Sequence, residues 1–230
     1  MKKLILLLII IPIIGVSQQE LYKWDIGING GLNINNPIIE GNNFSPDDLG
    51  GKLYGLTVVY HFNRFFAFKV DLDIENRGWD MKQFGDKNDG SGDPELKDIT
   101  QVLDYFDIPA FMHIGFGKKF KIDLNIGPYF GFKIKDEIIS YEPDGTELNS
   151  SATRGKIGLS EFDDFDFGVV YGIGFDYQIH ERFSIGFDAL YERGLKAVNT
   201  INDGINNIDY KNSSFDFDFG INFHLGKKKK

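Results

Sequence analysis

Residues 120–135, FKIDLNIGPYFGFKIK, alternate between two kinds of side chain without a slip. Phe120, Ile122, Leu124, Ile126, Phe130, Phe132 and Ile134 share one parity. Lys121, Asp123, Asn125, Gly127, Tyr129, Gly131 and Lys133 share the other. In a β-strand the two sets face opposite sides of the sheet. The same period recurs along the chain, and the pattern predicts strands near 22–33, 52–62, 65–79, 101–117, 120–135, 163–178, 183–194 and 213–225. The predicted number, eight, is even, as single-chain bacterial outer-membrane barrels require.

The connections sort strictly by position. After the second, fourth and sixth strands they are short (FNRF, GKKF and QIHERF). After the first, third, fifth and seventh they are long and rich in Gly, Asn, Asp, Ser and Pro, the longest being 136–161. An up-and-down membrane barrel has short periplasmic turns and long extracellular loops. A soluble barrel has no reason to segregate them by end. The expected fold is therefore all-β: an eight-stranded antiparallel up-and-down transmembrane β-barrel, with both ends of the chain in the periplasm.

Parity also assigns the faces. Phe66, Phe68, Val70, Leu72 and Ile74 lie on one side of the third strand, and Phe215, Phe217, Phe219, Ile221 and Phe223 on one side of the last. The opposite set holds Lys69, Asp71, Asp73, Glu75, Asp107, Lys121, Asp123, Lys133, Asp166, Asp176, Asp188, Glu192, Asp216 and Asp218, interspersed with glycines. An eight-stranded bore is just wide enough for side chains to fill. The bulky apolar set would overfill it, whereas lipid covers an outward apolar face at no cost. The charged face is therefore expected inside. Aromatic girdles are expected from Tyr22, Trp24, Phe62, Phe116 and Phe183 near the short turns, and from Tyr54, Trp79, Tyr191 and Phe215 near the loops.

Composition narrows the picture. The chain has 230 residues with 22 Phe, 10 Tyr and 27 Gly, which suits strands, and no Cys, which excludes disulfides and thiolate metal sites. A net charge of -9 argues against nucleic acid as a partner. Lys2 and Lys3, the apolar run Leu4 to Ile14, and Gly15-Val16-Ser17 form the three parts of a secretory signal peptide. The domain reading is a signal peptide over 1–17 and a barrel over 18–230.

DYFDIPAFMHIGFGKKFKIDLNIGPYFGFKI, FGVVYGIGFDYQIHERFSIGFDALYERGL and the opening KWDIGINGGLN resemble the outer-membrane β-barrel family widespread in Bacteroidetes, often labelled porin-family or PorT-like. The resemblance covers essentially the whole mature chain and implies a fold and the outer membrane rather than a known activity. Such barrels tend to end on an aromatic residue. This chain ends FHLGKKKK, so its assembly signal is expected to be Phe223 or Leu225, or to be weaker than usual.

No catalytic constellation stands out. No serine lies two residues beyond His113, and His61, His180 and His224 sit near strand ends or in a turn. The acidic pairs Asp71/Asp73 and Asp216/Asp218 could do acid–base work or bind a cation. Salt bridging across the lumen to Lys23, Lys69, Lys121 and Lys133 is the preferred reading. Acids outnumber lysines there, so some are expected to be wet, protonated or paired with cations. The loop 85–98 misses the calcium-loop register.

The expected site is thus a structural charge network of Lys69, Asp71, Asp73, Lys121, Asp123, Lys133, Asp188, Asp216 and Asp218, with no catalytic residue, cofactor or resident metal. The expected function is a non-enzymatic envelope protein. A small pore or transport component is the alternative, and a membrane-embedded hydrolase the third reading. Expected partners are outer-membrane lipid, the barrel-assembly machinery during insertion, and divalent cations at the acidic loops.

Overall fold

The computed structural model describes residues 22–41, 46–86, 94–141, 147–152, 162–202 and 207–226. Residues 1–17, where a signal peptide is expected, residues 87–93 of the 85–98 loop and the Lys227–Lys230 tail lie outside the described residues.

Eight strands close into one ring: β1 (Trp24–Asn35), β3 (Asp47–His61), β4 (Phe66–Asp86), β5 (Pro94–Gly117), β6 (Phe120–Tyr141), β8 (Phe165–His180), β9 (Phe183–Gly194) and β12 (Ser213–Leu225). Each is antiparallel to its neighbours, in the order β5-β4-β3-β1-β12-β9-β8-β6, and β6 returns to β5. Closure comes from the first and last strands, which pair from Trp24↔Leu225 to Asn35↔Ser214. Among the described residues the eight-stranded ring itself has no open seam, which is what a sheet needs in a medium that offers no hydrogen bonds.

All eight expected strands are present, and three run well past their expected ends. β4, β5 and β6 are 21, 24 and 22 residues long. A span needs only about 9–11 residues, so their outer halves rise above the bilayer as a ladder running to Asp86↔Pro94 and Asp98↔Tyr141. Clean alternation fades in the sequence of this region, where a strand beyond the bilayer has no lipid-facing side to keep apolar. β7 (Glu147–Ala152) extends the ladder alongside β6. A second small sheet of β2 (Ile38–Glu40), β10 (Asn199–Asn202) and β11 (Asn207–Lys211) joins the β1–β3 and β9–β12 connections. These connections meet because β1 and β12 are neighbours.

The faces follow parity. Ile26, Ile28, Leu32, Leu56, Leu124, Ile126, Phe217, Phe219 and Ile221 are exposed outward, while Asp71, Asp107, Asp123, Asp166 and Asp216 are buried inward. Trp24, Phe62, Phe116 and Phe183 lie exposed on the outer wall, as a girdle requires.

Two girdle assignments are corrected. Trp79 has only 1 % exposure and packs between Phe162 and Tyr210, because it shares the inward parity of Glu75 and Arg77. Tyr22 is buried and stacks on His224. Lys23 is corrected too: it is exposed, with its ammonium 5.0 Å from the Tyr60 ring, and does not serve the lumen.

Candidate functional site: a charged, filled lumen

The inward side chains stack in tiers from the periplasmic end upward. At the bottom, Asp25 on β1 holds His61 of β3 and His224 of β12, each through a 2.7 Å contact between a carboxylate oxygen and a ring nitrogen. Above it lies a cavity of about 80 Å³ whose lining includes Thr57, His113, Asp123, Asp176 and Ser184. Lys118, Lys119 and Lys121 also line this cavity.

The middle tier centres on Lys69 of β4. Its ammonium donates to Asp188 Oδ2 at 2.7 Å and lies 3.2 Å from Asp71 Oδ2. Thr57 donates to the other oxygen of Asp71 at 2.7 Å. Asn29 of β1 donates to Asp73 at 2.8 Å and to Asp218 at 3.0 Å, linking a carboxylate of β4, two strands away, to one of the adjacent β12. His113 contacts Asn125 Oδ1 at 2.7 Å, and Asn125 Nδ2 donates to Asp188 Oδ1 at 2.9 Å.

The upper tier belongs to Arg77, which has 2 % exposure. Its guanidinium donates to Glu75 at 2.8 Å and Asp166 at 3.2 Å, and also to Asp107 and Glu192. The flat cation lies over Tyr105 and Tyr129, 5.3 and 4.9 Å from their ring centroids. Tyr129 and Asn212 both donate to Asp166 Oδ2. One planar fork with five donors can serve several carboxylates in a way a lysine cannot. Tyr105, Leu103 and Trp79 form an apolar cluster beside it, with Tyr105 opposite Glu75, Leu103 opposite Arg77 and Trp79 further toward the loops. Outside the membrane span, burial pushes the Tyr210 hydroxyl above its ordinary range.

The expected network residues divide among these tiers. Lys69, Asp71 and Asp188 come together as one ion cluster. Asp73 and Asp218 are bridged by an amide rather than a lysine. Asp216 is buried opposite Asn33, and its Oδ1 has no hydrogen-bond partner. Asp123 and Lys121 belong to the lower cavity. Lys133 sits at the outer mouth, 3.7 Å from both Asp136 and Asp164, and donates to the Phe162 carbonyl.

The residue that sequence reasoning missed is Arg77, with the Tyr105 ring against it and Trp79 further toward the loops. The signal was available: Lys69, Asp71, Asp73, Glu75, Arg77 and Trp79 are one unbroken inward series.

The model of the outer membrane protein beta-barrel domain family matches residues 16–200. No curated protein sequence matches the chain. Among solved structures, Ail of Yersinia pestis in complex with a heparin analogue is 16% identical, covering 87% of this chain and 99% of that one, at a TM-score of 0.42. OprG of Pseudomonas aeruginosa is 16% identical over 91% of this chain and 100% of that one, at 0.43. Outer Membrane Protein W of E. coli is 12% identical over 90% and 100%, also at 0.43. With a family model spanning most of its length and a closed eight-stranded ring, the chain belongs to the outer membrane protein β-barrel domain family and resides in the outer membrane.

Proposed function

We propose that this protein is a non-enzymatic outer-membrane barrel whose lumen is shut, and whose work lies on its extracellular face toward the envelope or a partner. The observation that carries this reading is the Arg77 hub. One guanidinium from β4 ties carboxylates on β5, β8 and β9 together across the bore. A side chain so held cannot swing aside without stranding several buried charges, so the hub is a plug rather than a lining. Within the family, the chain sits with the PorT-like barrels of Bacteroidetes, a placement supported by its DIP step at Asp107–Pro109 and its NIGPYFG strand. Its partners are outer-membrane lipid, the assembly machinery during insertion and divalent cations at the acidic loops.

The test is reconstitution of the folded barrel in vesicles containing lipid A. Vesicles in isosmotic small sugar should not swell, and the lipid A mass spectrum should not change. Swelling would favour the transport reading, and altered lipid A would favour the hydrolase.

A further inference from the structure

The lower cavity holds a cluster that the plug does not use. His113 of β5 and Asp123 and Asp176 of the neighbouring strands β6 and β8 place one ligand-type atom each within 4.8 Å of one another. Asp123 is 1 % exposed, and its Oδ1 has no hydrogen-bond partner. That oxygen lies 3.2 Å from His113 Nε2.

The surroundings fix the histidine. Asn125 spends its Nδ2 hydrogen on Asp188, so the oxygen it turns toward His113 Nδ1 is an acceptor. His113 therefore donates from Nδ1, and its Nε2 is aimed at Asp123 Oδ1, which it pairs with as an ion pair when the ring is charged. A divalent cation bound between Nε2 and Asp123 Oδ1 would replace the proton these two atoms otherwise share, with Nδ1 still anchored on Asn125. Orientation of an imidazole through a hydrogen bond at its other nitrogen is how metal-binding histidines are held. A tetrahedral zinc with ligands at about 2.0–2.1 Å sets adjacent ligand atoms roughly 3.3–3.4 Å apart, close to the separation seen here.

Glycines on the adjoining strands leave room for the carboxylates. A Cβ at Gly115 would stand 2.5 Å from Asp123 Oδ1, and one at Gly186 would stand 2.9 Å from Asp176 Oδ1. The other acidic triad, Glu75, Asp107 and Glu192, already has its cation in Arg77.

We propose that His113, Asp123 and Asp176 form a binding site for a borderline divalent cation of the zinc class, open to the periplasmic cavity at its fourth position. One imidazole and two carboxylates suit zinc better than calcium or magnesium, which prefer oxygen alone. Lys121 stands directly opposite Asp176 in the β6–β8 ladder. Its ammonium opposes the metal, which keeps the site moderate in affinity. Lys69 is occupied by Asp71 and Asp188.

The experiment is titration of the chelator-treated, folded full-length barrel in detergent with zinc chloride, with folding checked by heat-modifiable migration. One zinc per barrel is expected. Asp176→Asn and His113→Gln should each weaken it by ~10-fold or more, and Asn125→Ala, which touches no metal, by about 10–100-fold. Lys121→Gln should tighten it by removing a like charge. X-ray absorption of the wild-type complex should report one imidazole nitrogen among oxygens, a readout that needs no variant to fold. Three results would each overturn the proposal. These are no stoichiometric zinc on folded wild type, binding indifferent to all four substitutions, or a ligand set without imidazole.

Discussion

Lys69 on β4 and Asp188 on β9 join at 2.7 Å although their strands stand four places apart around an eight-stranded ring. They are diametrically opposed, so this single ion pair spans the whole bore. Arg77 and Glu192, on the same two strands, make a second cross-bore tie nearer the loops.

Cutting one end of the lower tie should be costly. Lys69→Met leaves Asp71, buried, and Asp188, partly buried, without their cation, and removing one partner of a buried pair costs about 3–5 kcal/mol. Pairing it with Asp188→Leu should recover part of that loss, since apolar replacements of both partners are tolerated far better. Urea unfolding of the barrel in lipid vesicles measures both. A loss under about 1 kcal/mol for Lys69→Met would mean that the pair behaves as an exposed one.

The outer wall should reject charge, and the tightest inner positions should reject volume. Leu124→Arg places a guanidinium in lipid at a cost of about 2–4 kcal/mol near the midplane. Gly127→Ala should block assembly for a different reason, because a Cβ there would meet the Ala110 carbonyl oxygen at 1.8 Å. Asn125→Ser should be mild for assembly. Yield of heat-modifiable barrel and unfolding in vesicles separate the three outcomes.

The two tryptophans report the two faces. Trp24 is 45 % exposed on the outer wall and Trp79 is enclosed between Phe162 and Tyr210. In vesicles of brominated lipid, Trp79→Phe protein, which keeps Trp24, should be strongly quenched. Trp24→Phe protein, which keeps Trp79, should be nearly unquenched. Equal quenching would place Trp79 in the girdle after all.

That tryptophan also marks where the sequence stopped being legible. Strand number, order and facing were readable because lipid imposes an alternation that slips nowhere from Phe66 to Ile74 or from Phe215 to Phe223. Above the bilayer that pressure disappears, so the extra length of β4, β5 and β6 left no clear trace. Aromatic position alone suggested a girdle for Trp79, whereas its parity pointed inward. Pairing inside the lumen is harder still to read. Lys69 finds Asp188 at a sequence separation of 119, and Asn29 rather than a lysine links Asp73 to Asp218. Such partners depend on which strands face one another across the ring, and parity carries no information about that.

Arg77→Ala should loosen the plug more than any single lysine change, since it frees Glu75, Asp107, Asp166 and Glu192 together. Four carboxylates released into a narrow bore repel one another and draw in water and cations. Brief, cation-selective openings are expected from this variant in a planar bilayer, and a silent Arg77→Ala barrel would show that the apolar cluster of Trp79, Leu103 and Tyr105 closes the bore unaided.

The wild-type barrel under the same conditions tests the closed lumen most directly. Purified, folded protein inserted into a planar bilayer should carry no steady current, with at most rare small openings. Large, stable, cation-selective conductance steps from the wild type would contradict a lumen plugged by Lys69–Asp188 and Arg77–Glu192.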